Sequence, residues 1–373
     1  MKTLNFVDIP KEYLSLKKEI DRAINKVIRS GHLILGEEVD LFEKEFASFL
    51  GAKYCMTVNS GTDALILGLR ALNLKPGDEV IVPTNTFIAS ALSATENRLT
   101  PIFVDVNRDD YGIDLTDLKS KITSKTRAII VVHLFGQPDK LTQIQKIIKD
   151  SKKNIYLIED AAQAHGAFYN KKRVGTFGIF SVFSFYPTKN LGAYGDGGAI
   201  VTNNRTVADS IRLLRQYGQE SKYHHKILGV NSRMDTIQAA ILRIKLKHLD
   251  EWNKKRQANA RLLTKLINRD CPQVKTPVYY PDRPCVYHLY VIQAAKRNAL
   301  QAFLKQKRIM TLVHYPIPLH LQKAFSYLKY KKGDFPNAEN ISNSVVSLPI
   351  HPLLTIADIK YIAKTITDFY KQK

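Results

Sequence analysis

The sequence predicts an α/β protein in which a large domain with a mostly parallel seven-stranded sheet is followed by a smaller α+β domain. Three observations predict this fold. Between residues 54 and 202, seven short apolar runs alternate with segments of helical spacing, which is the order that builds a parallel sheet covered by helices. From Met234 to Trp252, apolar residues recur at intervals of three and four, as in one long helix. Beyond residue 250 the pattern becomes strand, helix, strand and two more helices.

The elements of the large domain follow from local patterns. Residues 12–30 have helical apolar spacing, and a second predicted helix, 37–50, ends before Gly51. The predicted strands are 54–58, 79–82, 101–104, 128–133, 155–158, 180–185 and 199–202. The helices predicted between them include 62–72, 87–95, 115–121 and 140–149.

The C-terminal part is predicted to form a separate unit. Strands are predicted at 287–293 and 309–315, a helix at 298–306 lies between them, and two helices follow near 337–346 and 355–370. Prolines 316, 318, 349 and 352 lie in the connecting loops. We therefore predict a large domain over residues 1–250 and a small α+β domain over residues 251–373.

The composition excludes several classes of protein. The three cysteines, Cys55, Cys271 and Cys285, are far apart and form no CxxC pair, which argues against a disulfide framework or a zinc ribbon and fits a reducing cytoplasm. The first ten residues lack the apolar core of a signal peptide. The longest apolar runs are too short to cross a bilayer. We expect a cytoplasmic protein that is not bound to a membrane.

The formal net charge is +22, and it allows two interpretations. A basic surface can attract a polyanion. Here the lysines are spread along the whole chain with acidic residues between them, and no basic stripe or helix-turn-helix segment stands out. We therefore interpret the charge as a solvated surface rather than a nucleic-acid interface, although a basic field would favour a nucleoside diphosphate substrate.

Lys189 is the first candidate catalytic residue. It follows the aromatic run Phe183, Phe185 and Tyr186, and a glycine-rich loop comes directly after it. Most lysines are solvated surface residues, but this setting does not suit an exposed helix face. A buried lysine has a lowered pKa, so it can form a Schiff base with an aldehyde cofactor such as pyridoxal phosphate. Once freed, the same amine can move a proton between the amine-bearing carbon and the C-4' carbon of the cofactor.

Asp160 is the predicted partner of that cofactor. It ends an apolar run 29 positions before Lys189. A carboxylate at this place would keep the pyridine nitrogen protonated, so that the ring withdraws electrons. The alternative is a strand-end carboxylate that caps the next helix. Gln163, three residues later, would lie on the same face and reach the phenolic oxygen of the cofactor.

A phosphate site and an aromatic wall complete the predicted pocket. Gly61 and Thr62 open a helix after the first strand, where free N–H groups favour a phosphate; a plain helix cap is the alternative. Ser184 would add a hydroxyl to the same phosphate. Phe87 would stack on the pyridine ring, unless it is an ordinary core aromatic.

Other catalytic chemistry finds no support in the sequence. There is no GxxxxGK[ST] loop, no HExxH, no GxSxG and no GxGxxG after a strand. His165, His314 and His320 lack the spacing of metal ligands. No metal site is expected.

Four motifs together resemble those of a known family. They are Ser60-Gly61-Thr62-Asp63-Ala64-Leu65, the run from Glu159 to Gly166, the Lys189 stretch, and Asn231-Ser232-Arg233-Met234-Asp235 before Gln238-Ala239-Ala240. In them the chain resembles the DegT-type sugar-nucleotide aminotransferases, pyridoxal phosphate enzymes of fold type I, the aspartate aminotransferase-like class. The resemblance covers nearly the whole chain, from the region of Gly36 to the last helix.

The resemblance implies a homodimer whose active sites lie at the subunit interface. It assigns Lys189 to the Schiff base, Asp160 to the ring nitrogen and Gln163 to the phenolic oxygen. The residues it places at the phosphate are Gly61, Thr62, Ser184 and, from the partner subunit, Asn231. It implies L-glutamate as the amino donor, a pyridoxamine phosphate form of the cofactor, and a nucleotide-linked keto sugar as the acceptor.

Within the family, the chain looks most like the dTDP-3-keto-6-deoxyhexose 3-aminotransferases, which serve deoxyamino sugar biosynthesis. By that analogy Tyr186 and His314 line the hexose pocket, and Tyr223 and His225 contact the nucleotide of the neighbouring subunit. Buried structural histidines are the alternative for the two histidines. A C-4 aminotransferase acting on a UDP- or dTDP-linked 4-keto sugar remains a second interpretation. A sugar dehydratase is disfavoured because that relative replaces the Schiff-base lysine by histidine, and a regulatory protein has only the basic charge in its favour.

Overall fold

The computed structural model describes residues 3–371, so four residues of the predicted domains, 1, 2, 372 and 373, lie outside it. Strands and helices alternate along the first two thirds of the chain. The strands are β1 (Tyr54–Val58), β2 (Glu79–Pro83), β3 (Thr100–Val104), β4 (Thr126–Val132), β5 (Tyr156–Asp160), β6 (Phe168–Tyr169), β7 (Lys172–Arg173), β8 (Phe180–Ser184), β9 (Gly198–Thr202), β10 (Gln219–Ser221), β11 (His224–His225), β12 (Tyr290–Gln293) and β13 (Val345–Leu348).

A seven-stranded sheet lies at the centre of the large domain. Its strand order is β1-β9-β8-β5-β4-β2-β3. Strands β3, β2, β4, β5 and β8 pair in parallel, and β9 pairs antiparallel with both β8 and β1. The prediction of a mostly parallel seven-stranded sheet is therefore confirmed, and all seven predicted strands are present. Because neighbouring parallel strands end at the same edge, β4, β5 and β8 bring their last residues together there.

Helices cover both faces of this sheet and build the C-terminal part. They are α1 (Ile9–Ser30), α2 (Glu37–Leu50), α3 (Gly61–Ala71), α4 (Ala89–Glu96), α5 (Leu115–Lys121), α6 (Leu141–Asp150), α7 (Arg205–Leu214), α8 (Thr236–Leu246), α9 (Leu249–Asp270), α10 (Arg297–Gln306), α11 (Pro336–Ser344) and α12 (Ile356–Lys371). None of the helices within residues 3–371 combines the length and the apolar character needed to span a bilayer.

The sheet separates two hydrophobic cores. Val80 and Val82 of β2 pack in one core, whereas Ile81 between them packs in the other. Consecutive side chains of a strand point to opposite faces, so a strand buried on both faces must be apolar at every position. The short continuous apolar runs of the sequence therefore form strands that are buried on both faces.

The C-terminal part has its own core. Strands β12 and β13 pair antiparallel, and α9, α10 and α12 supply buried side chains that pack with them, among them Leu263, Leu300 and Ile362. This agrees with the predicted α+β character of the segment. The boundary at residue 250 stays a prediction; residues 249 and 250 are the first two of α9.

Two predictions about the C-terminal half were wrong in detail. The long helix predicted from Met234 to Trp252 is two helices, α8 and α9, which meet at Lys247 and His248. Its apolar stripe serves two different cores: Leu242 packs in a core of the main sheet, and Trp252 packs against α1. Residues 309–315 do not form a strand with a ladder. They pair only through single bridges, from Ile309 to Leu4 and from Leu312 to Ser347. Strand β13, which the sequence pattern did not predict, takes the place next to β12.

Candidate active site

A cavity of about 520 Å³ lies at the edge of the main sheet where β4, β5 and β8 end. Val132, Asp160 and Ser184, the last residues of these strands, all contribute to its wall. Of the predicted site residues, the cavity wall contains Gly61, Thr62, Phe87, Asp160, Gln163, Ser184, Tyr186, Lys189 and His314. Residues far apart in sequence thus converge on one site at the carboxyl ends of the parallel strands, where ligands bind in open α/β sheets.

Lys189 lies in the loop after β8. Its backbone N–H donates to the carbonyl oxygen of Tyr186 at 2.9 Å, and the next side chain, Asn190, donates through Nδ2 to Asn253 Oδ1 at 2.9 Å. These contacts fix the loop on both sides of the lysine. Burial of the ammonium group lowers the pKa of Lys189 to about 8, although the carboxylate of Asp160 opposes that shift. About a tenth of this amine is therefore neutral and nucleophilic at pH 7, far more than of an ordinary lysine.

Asp160 is the last residue of β5 and is only 6% exposed. Ser90 Oγ donates to its Oδ2 at 2.9 Å, and the backbone N–H of Ala162 donates to its Oδ1 at 3.2 Å. Burial raises the pKa of Asp160, and these two hydrogen bonds, with the charge of Lys189, act in the opposite direction. The carboxylate is thus oriented by donors from two elements, and a cation partner in the cavity would stabilise its charge.

The preceding residue, Glu159, anchors the end of β5 from the other face. Its carboxylate is fully buried and accepts hydrogen bonds from His133 Nε2 at 3.2 Å and from the backbone N–H groups of Gly175 and Gly178 at 2.7 and 2.9 Å. Although burial opposes the charge, these donors hold the pKa of Glu159 below its usual value. Because adjacent strand residues face opposite sides, fixing Glu159 also fixes the direction of the Asp160 side chain.

The start of α3 forms a cradle with the ends of β8 and β9. Ser60 caps the helix by accepting a hydrogen bond from the Asp63 N–H at 3.0 Å. A Cβ atom on Gly61 would lie 2.7 Å from Ser184 Cβ, and one on Gly198 would lie 2.3 Å from the Ser60 carbonyl carbon. Only glycine allows these backbones to come so close. The hydroxyl of Ser184 therefore lies beside a helix N-terminus, which suits a phosphate.

The remaining wall combines aromatic and amide side chains. The rings of Phe87 and Tyr315 lie 6.1 Å apart, centre to centre. Gln163 accepts a hydrogen bond from the backbone N–H of Phe135 at 2.7 Å, and its Nε2 donates to the Tyr315 hydroxyl at 3.2 Å. Its side chain is thereby held at the cavity wall, with the amide nitrogen on the Tyr315 side.

His314 also faces the cavity, from the segment that was predicted to be a strand. Its Nδ1 lies 2.8 Å from Ser347 Oγ on β13. Burial, followed by the charge of Lys189, lowers the pKa of His314 to about 4. The imidazole is therefore neutral at physiological pH and offers hydrogen bonds rather than charge.

Three predicted site residues lie away from this cavity. Tyr223, His225 and Asn231 belong to a projecting segment that follows α7. Tyr223 is 79% exposed, and His225 Nδ1 lies 3.0 Å from the backbone oxygen of Tyr217. These residues were predicted to serve the site of a neighbouring subunit, so their absence from the cavity of their own chain fits that prediction without testing it.

Several residues in or next to the cavity were missed by sequence reasoning. Ser90, which positions Asp160, is one of several small residues in α4, and nothing local distinguishes it. Tyr315 and His288 reach the cavity from the C-terminal part. The aromatic-rich segment around His314 was a usable signal for Tyr315, since His314 itself was predicted. His288 had no comparable signal.

The residues fit pyridoxal phosphate. An amine of lowered pKa, a buried carboxylate, an aromatic wall and a helix N-terminus with a hydroxyl at its side share one cavity. These are the groups needed for the aldehyde, the ring nitrogen, the ring face and the phosphate. Within residues 3–371, no group of His, Cys, Asp or Glu side chains is arranged to hold a metal ion.

Comparison with known proteins agrees with this geometry. The family model described as "DegT/DnrJ/EryC1/StrS aminotransferase family" matches residues 14–367. The chain is 46% identical, over 98% of its length and 99% of the relative, to "dTDP-3-amino-3,6-dideoxy-alpha-D-galactopyranose transaminase" of Aneurinibacillus thermoaerophilus. It is 43% identical, over 98% of both chains, to a "Pleiotropic regulatory protein" of Geobacillus stearothermophilus.

Among solved structures, the fold is similar to that of DesV from S. venezuelae, crystallised in complex with a ketimine intermediate. The TM-score is 0.96 at 40% identity, and the superposition covers 100% of each chain. The chain belongs to the DegT/DnrJ/EryC1/StrS aminotransferase family. The predictions of the family, of fold type I and of pyridoxal phosphate as cofactor are confirmed.

Proposed function

We propose that this aminotransferase transfers an amino group from L-glutamate to C-3 of a dTDP-linked 3-keto-6-deoxyhexose. The observation that carries the proposal is the meeting of Lys189 and Asp160 in one cavity of a chain that is 46% identical to a dTDP-3-amino-3,6-dideoxygalactose transaminase. The product would be a dTDP-linked 3-amino-3,6-dideoxyhexose for deoxyamino sugar biosynthesis. We place the enzyme in the cytoplasm, where nucleotide sugars are made.

The predicted site residues in the cavity each have a proposed role. Bound pyridoxal phosphate supplies an aldehyde that accepts the amine and a ring that withdraws electrons. Lys189 would hold the aldehyde carbon and, once released, would move a proton between the substrate carbon and the C-4' carbon. Asp160 would keep the ring nitrogen protonated, and Gln163 would donate to the phenolic oxygen. The phosphate is assigned to Gly61, Thr62 and Ser184, and the ring face to Phe87.

The sugar side of the site is assigned to other residues. Tyr186, which is 53% exposed, and His314 line the part of the cavity that we assign to the hexose. A neutral His314 can hydrogen-bond hydroxyl groups without attracting a carboxylate. The net charge of +22 favours the approach of a nucleoside diphosphate to this surface.

A second copy of the chain completes the proposed site. The projecting segment after α7 exposes large apolar side chains, among them Tyr223 at 79% and Leu228 at 94%. Isolated monomers rarely expose such groups together. We propose a homodimer in which Asn231 reaches the phosphate of the partner's cofactor, while Tyr223 and His225 contact its nucleotide. Sedimentation should give twice the chain mass of 42.4 kDa; a monomer at micromolar concentration would refute this arrangement.

The regulatory name of one relative does not alter the proposal. A protein that only reused this fold for regulation would have no need of a lysine whose pKa is lowered to about 8 beside a buried carboxylate. A sugar dehydratase is also disfavoured, because the Schiff-base lysine of the transaminases is present here as Lys189.

The test of the proposed function uses the two half-reactions in turn. The enzyme is loaded with pyridoxal phosphate, converted with glutamate to the pyridoxamine phosphate form, freed of glutamate, and mixed with the dTDP-linked 3-keto sugar or its 4-keto isomer. We expect the absorbance of the aldehyde form to return with the 3-keto sugar only. Return with the 4-keto sugar alone would retain the transaminase and replace the substrate by the alternative. No conversion by glutamate would contradict the proposal as a whole.

Ser90→Ala should shift the pH dependence of this reaction. Burial already raises the pKa of Asp160, and the Ser90 hydrogen bond opposes that shift. Without this donor the pKa rises further, so the active carboxylate is lost at a higher pH as the solution is acidified. We expect an acidic limb of kcat displaced towards neutral pH by about one pH unit. An unchanged pH profile, measured beside Ser93→Ala as a control, would show that Ser90 does not act on Asp160.

A further inference from the structure

A small chamber adjoins the proposed catalytic cavity on the side of the C-terminal part. Its volume is about 70 Å³, roughly that of two water molecules at liquid density. Four residues, Thr188, His288, Leu289 and His314, line both the chamber and the catalytic cavity. Thr188 directly precedes Lys189. The chamber is therefore a side pocket of the proposed site and not a separate void.

Arg256 of α9 lines this chamber but not the catalytic cavity. The residue is 6% exposed, and its Nε atom is buried without a hydrogen-bond partner. Nη1 makes one long contact, 3.4 Å, to the backbone oxygen of Tyr287. In the same chamber wall, His288 is 8% exposed, and its Nδ1 atom is also buried without a partner. Two buried polar side chains thus line one small pocket, and each has a nitrogen atom without a hydrogen-bond partner.

Three other cations in the described part of the chain that are no more than 8% exposed are paired with carboxylates. Arg215 binds Glu43, Arg283 binds Asp110 at 2.8 Å, and Lys245 binds Glu12 at 2.6 Å. Of the four arginines and lysines within residues 3–371 that are no more than 8% exposed, Arg256 alone has no carboxylate in contact. A buried charge without a partner is strongly disfavoured, and this one points to an anion that binds from outside the chain.

The charged groups around Arg256 favour the binding of an anion. Burial lowers the pKa of Arg256 to about 10, and Glu12 opposes that shift only from a distance, because its carboxylate is already bound to Lys245. Arg256 in turn contributes to lowering the pKa of His288 and of His351. An arginine with its pKa at about 10 is still charged at pH 7, and the neighbouring imidazoles stay neutral.

From these observations we infer that the chamber binds one carboxylate of the amino donor, with Arg256 as its cation and His288 as a second hydrogen-bond partner. The inference rests on the proposed function, in which two different substrates use one cavity in turn. The keto hexose is uncharged where it reacts, and the phosphate of the cofactor has its own place at α3. The donor is the reactant that brings a small anion close to Lys189, and a carboxylate fits a pocket of about 70 Å³. Arg256 would thus distinguish the donor from the sugar.

The test measures each half-reaction separately in Arg256→Gln. We expect the efficiency with which glutamate converts the pyridoxal phosphate form to fall about 100-fold, mainly through weaker donor binding. The reaction of the pyridoxamine phosphate form with the keto sugar should change less than about threefold. Arg256→Lys should recover part of the loss, because it keeps the charge but not the planar fork. Lys254→Gln, an exposed change on the same helix, should behave like the wild type.

A binding measurement keeps the inference testable without turnover. Glutarate, which has both carboxylates of glutamate but no amine, is titrated calorimetrically into the wild-type and Arg256→Gln holoenzymes. We expect the wild type to bind it and the variant to lose at least about 30-fold in affinity. Equal losses in both half-reactions, or wild-type glutarate affinity in Arg256→Gln, would overturn the inference. L-Alanine as donor shows which carboxylate the chamber binds. If Arg256→Gln lowers the efficiency of the half-reaction with alanine as much as with glutamate, the chamber binds the α-carboxylate. If only the efficiency with glutamate falls, the chamber binds the side-chain carboxylate.

The two proposals fail in different ways. If wild-type enzyme aminates no keto sugar, the proposed function is wrong, while the glutamate half-reaction and glutarate binding still report on Arg256. If the sugar is aminated but Arg256→Gln accepts glutamate normally, the function stands and the chamber has no role in donor binding.

Discussion

Lys189→Ala should reduce turnover by about 10⁴-fold or more, the largest effect expected of any single substitution in this chain. The lysine has two roles in the proposed reaction, as the covalent anchor of the cofactor and as the group that moves the proton. Its lowered pKa of about 8 depends on burial in the cavity, and no other lysine lines that cavity. No neighbouring amine within residues 3–371 can therefore replace it.

Lys189→Arg separates these roles from simple electrostatics. Arginine keeps the positive charge near Asp160 but stays protonated and cannot form the covalent bond. We expect this variant to be as inactive as Lys189→Ala. Borohydride reduction followed by mass spectrometry should attach the cofactor to Lys189 in the wild type and in the exposed control Lys149→Ala, and to neither Lys189 variant. Wild-type turnover in Lys189→Ala would refute the catalytic assignment.

The fold could be predicted from sequence wherever the pattern was local. Helix α2 and strand β1 have the predicted bounds. The helix ends at Gly51 because its φ of 74° is a conformation that glycine adopts readily. Helix α1 begins three residues before its predicted start, at Ile9. The signal was present in the sequence: Asp8 accepts a hydrogen bond from the Lys11 N–H at 3.2 Å, and Pro10 lies in the first turn.

Pairing between distant segments could not be predicted in the same way. Strand β9 runs antiparallel between β8 and β1, but its buried apolar run, from Ala199 to Val201, is the same for either direction. Strand β13 is only four residues long and follows a helix without a turn signal. Residues 309–315 have the apolar content of a strand, yet that segment forms the wall of the cavity through His314 and Tyr315.

The same distinction applies to the site. Lys189 and Asp160 could be predicted to meet, because each follows a strand of a parallel sheet and the two strands, β5 and β8, turned out to be neighbours. The hydrogen bond between Ser90 and Asp160 joins residues 70 positions apart, and Gln163 contacts Tyr315 across 152 positions. Contacts of this kind depend on the tertiary arrangement, and no local pattern encodes them.

Asp160→Asn should lower turnover by about 10³-fold while the cofactor remains attached to Lys189. The substitution keeps the size of the side chain and removes its charge. In the wild type the carboxylate lies 2.9 Å from Ser90 Oγ and lines the cavity. Without its charge, the ring nitrogen loses the partner that keeps it protonated. The ring then withdraws electrons less strongly as the substrate proton leaves. The loss therefore belongs to the proton-transfer step and not to attachment of the cofactor.

This separation makes the two largest predictions independent. Single-turnover absorbance should show a cofactor bound covalently in Asp160→Asn but converted slowly by glutamate, whereas Lys189→Ala should show no covalent attachment at all. The control Asp150→Asn removes an exposed carboxylate at the end of α6 and should leave both signals unchanged. Conversion of the cofactor at the wild-type rate in Asp160→Asn would contradict the assignment. The carboxylate would then be a structural cap of the β5 end, held by Ser90 and Ala162. The ring nitrogen would need another partner in the cavity.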